Sequence, residues 1–316
     1  MLSAFYGGQD EIIYVFALMC FIYGNITERR VLERVCMAIS VTLNPICLIV
    51  ILPVLLINEK KLFKVAIRLL ESCVPLIVFS YLYRADELYL QFSHVSDNSS
   101  HLFLPGIALN YDLIPIPLFP IFYVILILYL YMYEENDKKL IARTKLLAVA
   151  SSFALLSLLS AGQIGLFYRG MLWLPFFVTY IFMTGLDGLN ILLLSAYECL
   201  RSLTLLFPLS NFAGVSSSWV MQSKIIDMVC KVPEKTMYEV LCGKISFLNN
   251  SGLVYALVIA LMSCILFYNW KYQLWGQSKD VAHLKSNDVK FISAGLYIFS
   301  SIILLVAFML NITVLV

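Results

Sequence analysis

Charged residues are scarce in this chain of 316 residues. Asp, Glu, Lys and Arg together make up 13% of it, whereas 61% belongs to the apolar set AVILMFWYC. A soluble globular domain usually holds about 25% charged and about 45–50% apolar residues, so this chain has too few polar side chains to cover a water-facing surface. The composition predicts an integral membrane protein whose principal partner is the lipid bilayer.

Basic excess and histidine are both lacking, and this excludes several ligands. The 22 Lys and Arg against 20 Asp and Glu leave a net charge of +2, well below the basic excess of a nucleic-acid binder. The three histidines, His94, His101 and His283, all fall in predicted loops, so no span offers an axial imidazole for haem. The spacing of His94 and His101 matches no metal-binding pattern. We therefore expect no nucleic acid, no haem, no metal and no other cofactor.

Catalytic signatures are missing as well. The sequence contains no G-x-x-x-x-G-K-[ST], no H-E-x-x-H and no G-x-S-x-G, the motifs of phosphate-binding loops, zinc hydrolases and serine hydrolases. Eight cysteines are present without a C-x-x-C, and Cys230 and Cys242 are the only pair in a loop. They predict a disulfide if that loop faces an oxidising compartment and free thiols if it is cytoplasmic. These absences favour a protein that is not an enzyme, without excluding one.

Long apolar runs are what the chain has in abundance. A membrane-spanning helix needs about 20 residues, so the apolar content limits the number of spans to about nine. The runs lack the alternation of β-barrel strands, which predicts an all-α polytopic bundle of seven to nine spans, in a bacterial inner membrane or an equivalent one. No repeat or linker divides the chain, so we expect one membrane domain over 1–316. The nine runs are 12–23, 35–57, 65–83, 113–133, 146–168, 172–199, 203–220, 252–270 and 291–316.

Loop charges predict the sidedness of the spans, because short loops rich in Lys and Arg tend to remain cytoplasmic. Loops 58–64 and 134–145 are basic and are placed inside, whereas the long loop 84–112 holds one Arg and several acids and is placed outside. Counting back from these loops places the arginines at 29, 30 and 34 outside. Counting forward places the lysines of the second long loop, 221–250, outside too. The rule therefore fails at both ends unless one run in each region does not cross.

Two runs have the composition of a re-entrant or broken helix. Run 35–57 is interrupted by Asn44-Pro45 and by Pro53, and run 203–220 contains Pro, Gly, Asn and three consecutive serines. Non-helical backbone is tolerated at membrane depth only where protein or a water-filled cavity satisfies its polar groups. In loop 221–250, a short amphipathic helix is predicted from Pro233 to a stop at Gly243.

A polar stripe in the sixth run is the main candidate site. An acid inside a spanning segment costs at least a few kcal/mol and normally faces the bundle interior or a cavity. At 100° per residue, every member of the stripe lies within about 60° of Asp187 on one helix face. We expect them to line an ion, proton or substrate path, the alternative being an acid that only hydrogen-bonds to a neighbouring helix. The stripe consists of Tyr180, Thr184, Asp187, Asn190 and Glu198.

Three functions remain open from the sequence. The first is a transporter or translocation-channel subunit that uses the polar stripe. The second is a membrane enzyme acting on a lipid-linked substrate, such as a polyprenyl-linked saccharide polymerase or glycosyltransferase, with Arg84, Asp86 and Glu87 of loop 84–112 as catalytic or phosphate-contacting residues. The third is a structural subunit that packs against other membrane subunits.

A second acid within a span, Glu71, is expected to pair with Arg68 three residues earlier.

Overall fold

A computed structural model describes residues 11–84, 106–109, 114–159, 172–184, 188–204, 251–275 and 292–302. In these ranges the chain forms ten helices and one two-stranded antiparallel hairpin. The helical fold class predicted from the sequence is confirmed at this coarse level. The chain groups into two compact units, Gln9–Met183 and Thr184–Val316 with Met1–Gly8, and the single-domain expectation remains a prediction.

The elements follow one another in a simple order. The first unit is built from seven helices and a hairpin in which Gly106 lies opposite Pro117 and Leu109 opposite Ile114. Its elements are α1 Glu11–Ile26, α2 Arg30–Leu43, α3 Cys47–Asn58, α4 Leu62–Leu82, β1 Gly106–Leu109, β2 Ile114–Pro117, α5 Leu118–Met132, α6 Lys138–Leu159 and α7 Leu174–Thr184. The second unit contains α8 Gly188–Thr204, α9 Ser251–Trp275 and α10 at 292–302.

Helix length bears directly on the membrane prediction. In the described part of the chain, one stretch, Lys138–Ser157, is long and apolar enough to cross a bilayer, and 78% of its most apolar window is buried within the protein. The other apolar helices measured in this way are 10–17 residues long. The polytopic arrangement therefore remains a proposal, which is taken up below.

A tight turn joins α1 to α2. The Arg29 N–H donates to the Gly24 carbonyl at 2.8 Å, and Glu28 between them has a φ of 60°, the left-handed residue typical of a Schellman helix end. A Cβ at Gly24 would lie 2.8 Å from the Glu33 backbone nitrogen. Glycine is therefore required at position 24 for the start of α2 to pack this closely against the end of α1.

The run 35–57 is broken where its sequence predicts. Asn44 has φ −150° and ψ 110°, the extended backbone that a following proline favours, and its side-chain oxygen accepts a bond from the Ile46 N–H at 3.1 Å. Helix α2 ends at Leu43 and α3 begins at Cys47. The prediction of a broken helix is confirmed for this run, whereas run 203–220 lies almost wholly outside the described residues.

Helix α3 is the centre of the first unit. Eight of its twelve residues are buried, and it packs against α4, α5 and α6. Pro53 in its interior cannot donate a backbone bond to the carbonyl of Ile49 one turn earlier. The hydroxyl of Tyr123 on α5 donates to that carbonyl at 2.7 Å instead. A neighbouring helix thus restores the hydrogen bond that the proline removes.

The helix ends of the first unit meet at what we call the basic end, where α1, α3, α5 and α7 finish and α2, α4 and α6 start. Side-chain bonds join these ends from Asn58 to Asn25 at 2.9 Å and from Lys138 to Glu28 at 2.8 Å. Eight basic residues therefore belong to one end of the unit: the arginines at 29, 30 and 34 and the lysines at 60, 61, 64, 138 and 139. The broken run 35–57 returns the chain to this end, because Asn58 at the end of α3 bonds to Asn25 and Asn25 bonds to Glu33 near the start of α2.

Candidate functional site

A buried polar cluster lies just inside the basic end. The Asn25 amide donates to the Glu33 carboxylate at 2.8 Å, and the Asn58 amide donates to the Asn25 side-chain oxygen at 2.9 Å. The Arg68 guanidinium lies 3.6 Å from the same carboxylate oxygen of Glu33. The cluster therefore connects four helices, α1 to α4, through one carboxylate.

Lys145 adds a second cation to this cluster. It is 4% exposed on the second turn of α6, and the Glu33 and Glu28 carboxylates attract it. Glu33 is 8% exposed, whereas the Arg68 side chain is 31% exposed and reaches solvent. Buried charges need partners: Arg68 contacts Glu33 at 3.6 Å, whereas Lys145 is attracted to Glu33 and Glu28 at longer range. The cluster consequently has an excess of positive charge and a partly open side at Arg68.

Lys60 closes the end of α5 beside the cluster. Its ammonium donates to the carbonyls of Leu130, Tyr131 and Tyr133 at 3.1, 2.7 and 2.7 Å, three of the acceptors that a helix C-terminus leaves without intrahelical donors. Tyr131 returns a bond from its hydroxyl to the Lys60 carbonyl at 3.1 Å. Burial lowers the pKa of Lys60, and the Glu134 carboxylate opposes that shift. This lysine has a structural role, because its three donors are all used on backbone.

The predicted polar stripe is distributed over two helices. Tyr180 and Thr184 belong to α7, where Tyr180 is fully buried and its ring stacks on Phe177 at 6.0 Å. Asp187 lies outside the described residues, and α8 begins at Gly188. The projection of the stripe assumed one helix through the whole sixth run, so a single polar face remains a prediction.

The remaining stripe residues, Asn190 and Glu198, lie on α8. Asn190 exchanges two amide hydrogen bonds with Asn269 of α9, at 3.0 and 2.9 Å, and both residues are buried. Glu198 interacts electrostatically with Tyr297 of α10. The Asn190–Asn269 pair satisfies both amides and therefore fits an interhelical connection.

One predicted partnership is wrong. Arg68 was expected to pair with Glu71 on its own helix, but the structure pairs it with Glu33 of α2 at 3.6 Å. Glu71 is instead exposed on α4. Spacing along one helix permits a local pair worth only a few tenths of a kcal/mol, and a buried carboxylate on a packed neighbour attracts the guanidinium more strongly.

The residues of the other predicted sites are placed only in part. Arg84 lies over the ring of Tyr81 at 4.4 Å, whereas Asp86 and Glu87 are outside the described residues. The predicted disulfide pair, Cys230 and Cys242, also lies outside them. The cysteines that the structure does describe form no disulfide, and within the same ranges no three His, Cys, Asp or Glu side chains are grouped to hold a metal ion.

Glu33 is the residue that sequence reasoning missed. It lies between the predicted runs 12–23 and 35–57, in a stretch read as a loop, although α2 already begins at Arg30. The usable signal was helical spacing, because Glu33, Cys36, Met37, Ser40 and Val41 recur at intervals of three and four and are all buried. A carboxylate in phase with the apolar face of a helix predicts a buried acid.

Comparisons with protein-family models, with curated proteins and with solved structures find no match to this chain.

Proposed function

We propose that the chain is a polytopic membrane protein of seven to nine spans that acts as a transporter or translocation-channel subunit. Its exposed surface supports the bilayer setting, because large apolar side chains are exposed along α4, α5 and α10. Contiguous exposed apolar surface of that extent is rare in soluble monomers. The basic end supplies the excess of Lys and Arg that marks a cytoplasmic face.

The observation that carries the transport proposal is the short hairpin of α2 and α3. At 1.5 Å per residue these helices are about 21 Å and about 18 Å long, less than the roughly 30 Å of a hydrocarbon core. Broken helices of this kind are tolerated where protein surrounds them, and transporters use them to build substrate sites at mid-membrane depth. Helix α3 satisfies that condition, because Tyr123 bonds to the carbonyl that Pro53 leaves free.

The buried cluster supports an anionic substrate. Glu33 faces two cations, Arg68 and Lys145, so an incoming anion would balance their excess charge without leaving a buried group unpaired. Arg68 is the partly exposed member and gives the cluster an approach from solvent. We therefore assign Arg68 and Lys145 the role of anion contacts and Glu33 the role of the acid that holds them in place.

A topology measurement tests the membrane arrangement. In a cysteine-free background, single cysteines at Arg30→Cys, Lys61→Cys and Lys139→Cys should react with a membrane-impermeant maleimide from one side, and Arg84→Cys from the other. Labelling of positions 30 and 61 from opposite sides would mean that run 35–57 crosses the bilayer, and would overturn the hairpin proposal.

A flux measurement tests the activity. The protein is reconstituted in sealed vesicles and challenged with gradients of inorganic phosphate and of small carboxylates. Anion flux through Glu33→Gln should be at least about tenfold lower than wild-type flux. Glu71→Gln changes an exposed acid on the neighbouring helix, and its flux should stay within about twofold of wild type. Matched size-exclusion profiles of the two variants exclude misfolding as the cause. Wild-type flux no greater than that of protein-free vesicles for every anion would overturn the transport proposal.

The enzyme hypothesis remains the alternative. Neutralising Asp86 or Glu87 should abolish an activity on a lipid-linked saccharide and leave anion flux unchanged. A purely structural subunit should tolerate both those changes and Glu33→Gln with its complex intact.

A further inference from the structure

Four basic side chains lie where α2 and α4 begin, and we call this set the patch. Arg30, Arg34, Lys61 and Lys64 are all exposed, and the two helices that carry them pack against each other and are joined by the Glu33–Arg68 contact. Lys64 lies 3.5 Å from Glu59 with its side chain 58% exposed. Within the described ranges no ion pair involves the other three. The patch therefore has more positive charge than its acidic neighbours, Glu59 and Glu28, neutralise.

Apolar side chains continue directly from this patch. Val31 and Phe63, which follow basic positions on the two helices, are each 78% exposed. Farther along α4, beyond Arg68, the exposed surface is mostly apolar and Glu71 is the one charged residue in it. Its members are Leu70, Val74, Ile77, Val78, Phe79 and Leu82.

We propose that Arg30, Arg34, Lys61 and Lys64 bind the headgroup of an anionic phospholipid whose acyl chains lie along the exposed face of α4. Basic clusters at the cytoplasmic end of membrane helices attract anionic headgroups, and guanidinium groups contact phosphate in a bidentate manner. A free phosphate would use the bases but would leave the apolar face of α4 without a partner. The combination of both surfaces in one place therefore favours a lipid. This inference rests on the proposed membrane location and not on transport.

The test uses the full-length protein in detergent micelles, titrated with phosphatidylglycerol or with phosphatidylcholine of the same chain length and analysed by native mass spectrometry. Arg30→Gln with Arg34→Gln should weaken phosphatidylglycerol binding by about thirtyfold, given a contribution of about 1 kcal/mol from each basic residue near a headgroup. Lys138→Gln with Lys139→Gln removes the same charge from the same end of the unit and should change it by less than about twofold. Phosphatidylcholine binding, unchanged in both variants, reports that the fold is intact.

Three outcomes would overturn the proposal. Equal wild-type affinity for the two lipids would exclude headgroup selectivity. Equal weakening of phosphatidylglycerol binding in the two double variants would show that binding depends on net charge and not on the patch. Release of phosphatidylglycerol by millimolar inorganic phosphate would identify a phosphate site instead. Alkaline carbonate extraction of the membranes tests the membrane location separately from the lipid site. If the protein stays in the membrane but shows no lipid preference, only the lipid site is refuted. If the protein is released, both the lipid site and the membrane location are refuted.

Discussion

Helices α3 and α4 are consecutive, apolar and interrupted by an internal proline, yet they occupy opposite environments. Helix α3 is buried over most of its length with Pro53 at its centre, whereas α4, with Pro75, exposes most of its apolar side chains. Helix α4 carries three charged residues and α3 none, but both are predominantly apolar. Their difference shows that burial in this unit also depends on which helices surround a segment.

The largest difference is expected from leucine truncation. Leu55→Ala in α3, where the side chain is 0% exposed, should lower the free energy of unfolding by about 2–5 kcal/mol, because it leaves a cavity. Leu70→Ala in α4, where the side chain is 66% exposed, should cost within about 0.5 kcal/mol. Unfolding by denaturing detergent, followed by circular dichroism, measures both. Equal losses would mean that α3 and α4 are buried alike.

The next largest difference in the free energy of unfolding is expected between neutralising Glu33 on α2 and neutralising Glu71 on α4. Glu33→Gln removes the carboxylate that faces Arg68 and Lys145 and should cost about 2 kcal/mol, less than the loss typical of a fully buried pair because Arg68 is partly exposed. Glu71→Gln should leave the free energy of unfolding unchanged within error. The same unfolding assay checks both variants. If Glu33→Gln leaves the free energy of unfolding unchanged, the buried Lys145 does not need this carboxylate as a partner.

Tyrosine hydroxyls give a third and smaller contrast. Tyr123→Phe deprives the Ile49 carbonyl of its donor and should cost about 1–2 kcal/mol, the usual penalty for a buried polar group left unsatisfied. Tyr81→Phe retains the ring beneath Arg84 and should be neutral. A double variant that also replaces Pro53 with Ala restores a backbone donor for Ile49. It should recover stability relative to Tyr123→Phe alone, and failure to recover would reject this account of the hydrogen bond.

The smallest effect belongs to the exposed ion pair of Glu28 and Lys138. Its hydrogen bond with Lys138 lowers the pKa of Glu28 below the ordinary value of 4.5. A carboxyl whose pKa is depressed by folding stabilises above that ordinary value and loses this contribution as the pH falls through the folded pKa. The Tm difference between wild type and Glu28→Gln should therefore be marginal at pH 7 and should shrink as the pH is lowered below 4.5. A difference that grows on acidification would contradict this sign.

The sequence predicted the local features of this fold well. Helical class, the break at Asn44-Pro45 and the apolar character of α3 follow from chemistry within a few residues of each other. The helix boundaries were less accurate: α6 begins at Lys138, in what was predicted to be a loop, and α5 begins at Leu118 after a strand. The first turn of α6 is basic and does not resemble a spanning segment, although it belongs to the same helix as the apolar residues that follow.

The candidate site could not be predicted in the same way, because it depends on which helices meet. Glu33 and Arg68 are 35 positions apart, and nothing in the spacing of Arg68 and Glu71 indicates that the local pair loses to the distant one. The stripe through Asp187 was drawn on one uninterrupted helix, whereas α7 ends at Thr184 and α8 begins at Gly188. Hydropathy alone does not report where one helix ends and the next begins.

The bond from Tyr123 to Ile49 also imposes an order on biosynthesis. The two residues are 74 positions apart, so at about 5–20 residues per second the ribosome needs roughly 4–15 s to synthesise the chain between them. During that interval α3 has emerged with an unsatisfied carbonyl and without α5 or α6 to enclose it. Until α5 is made, the Ile49 carbonyl must accept its hydrogen bond from a group other than Tyr123.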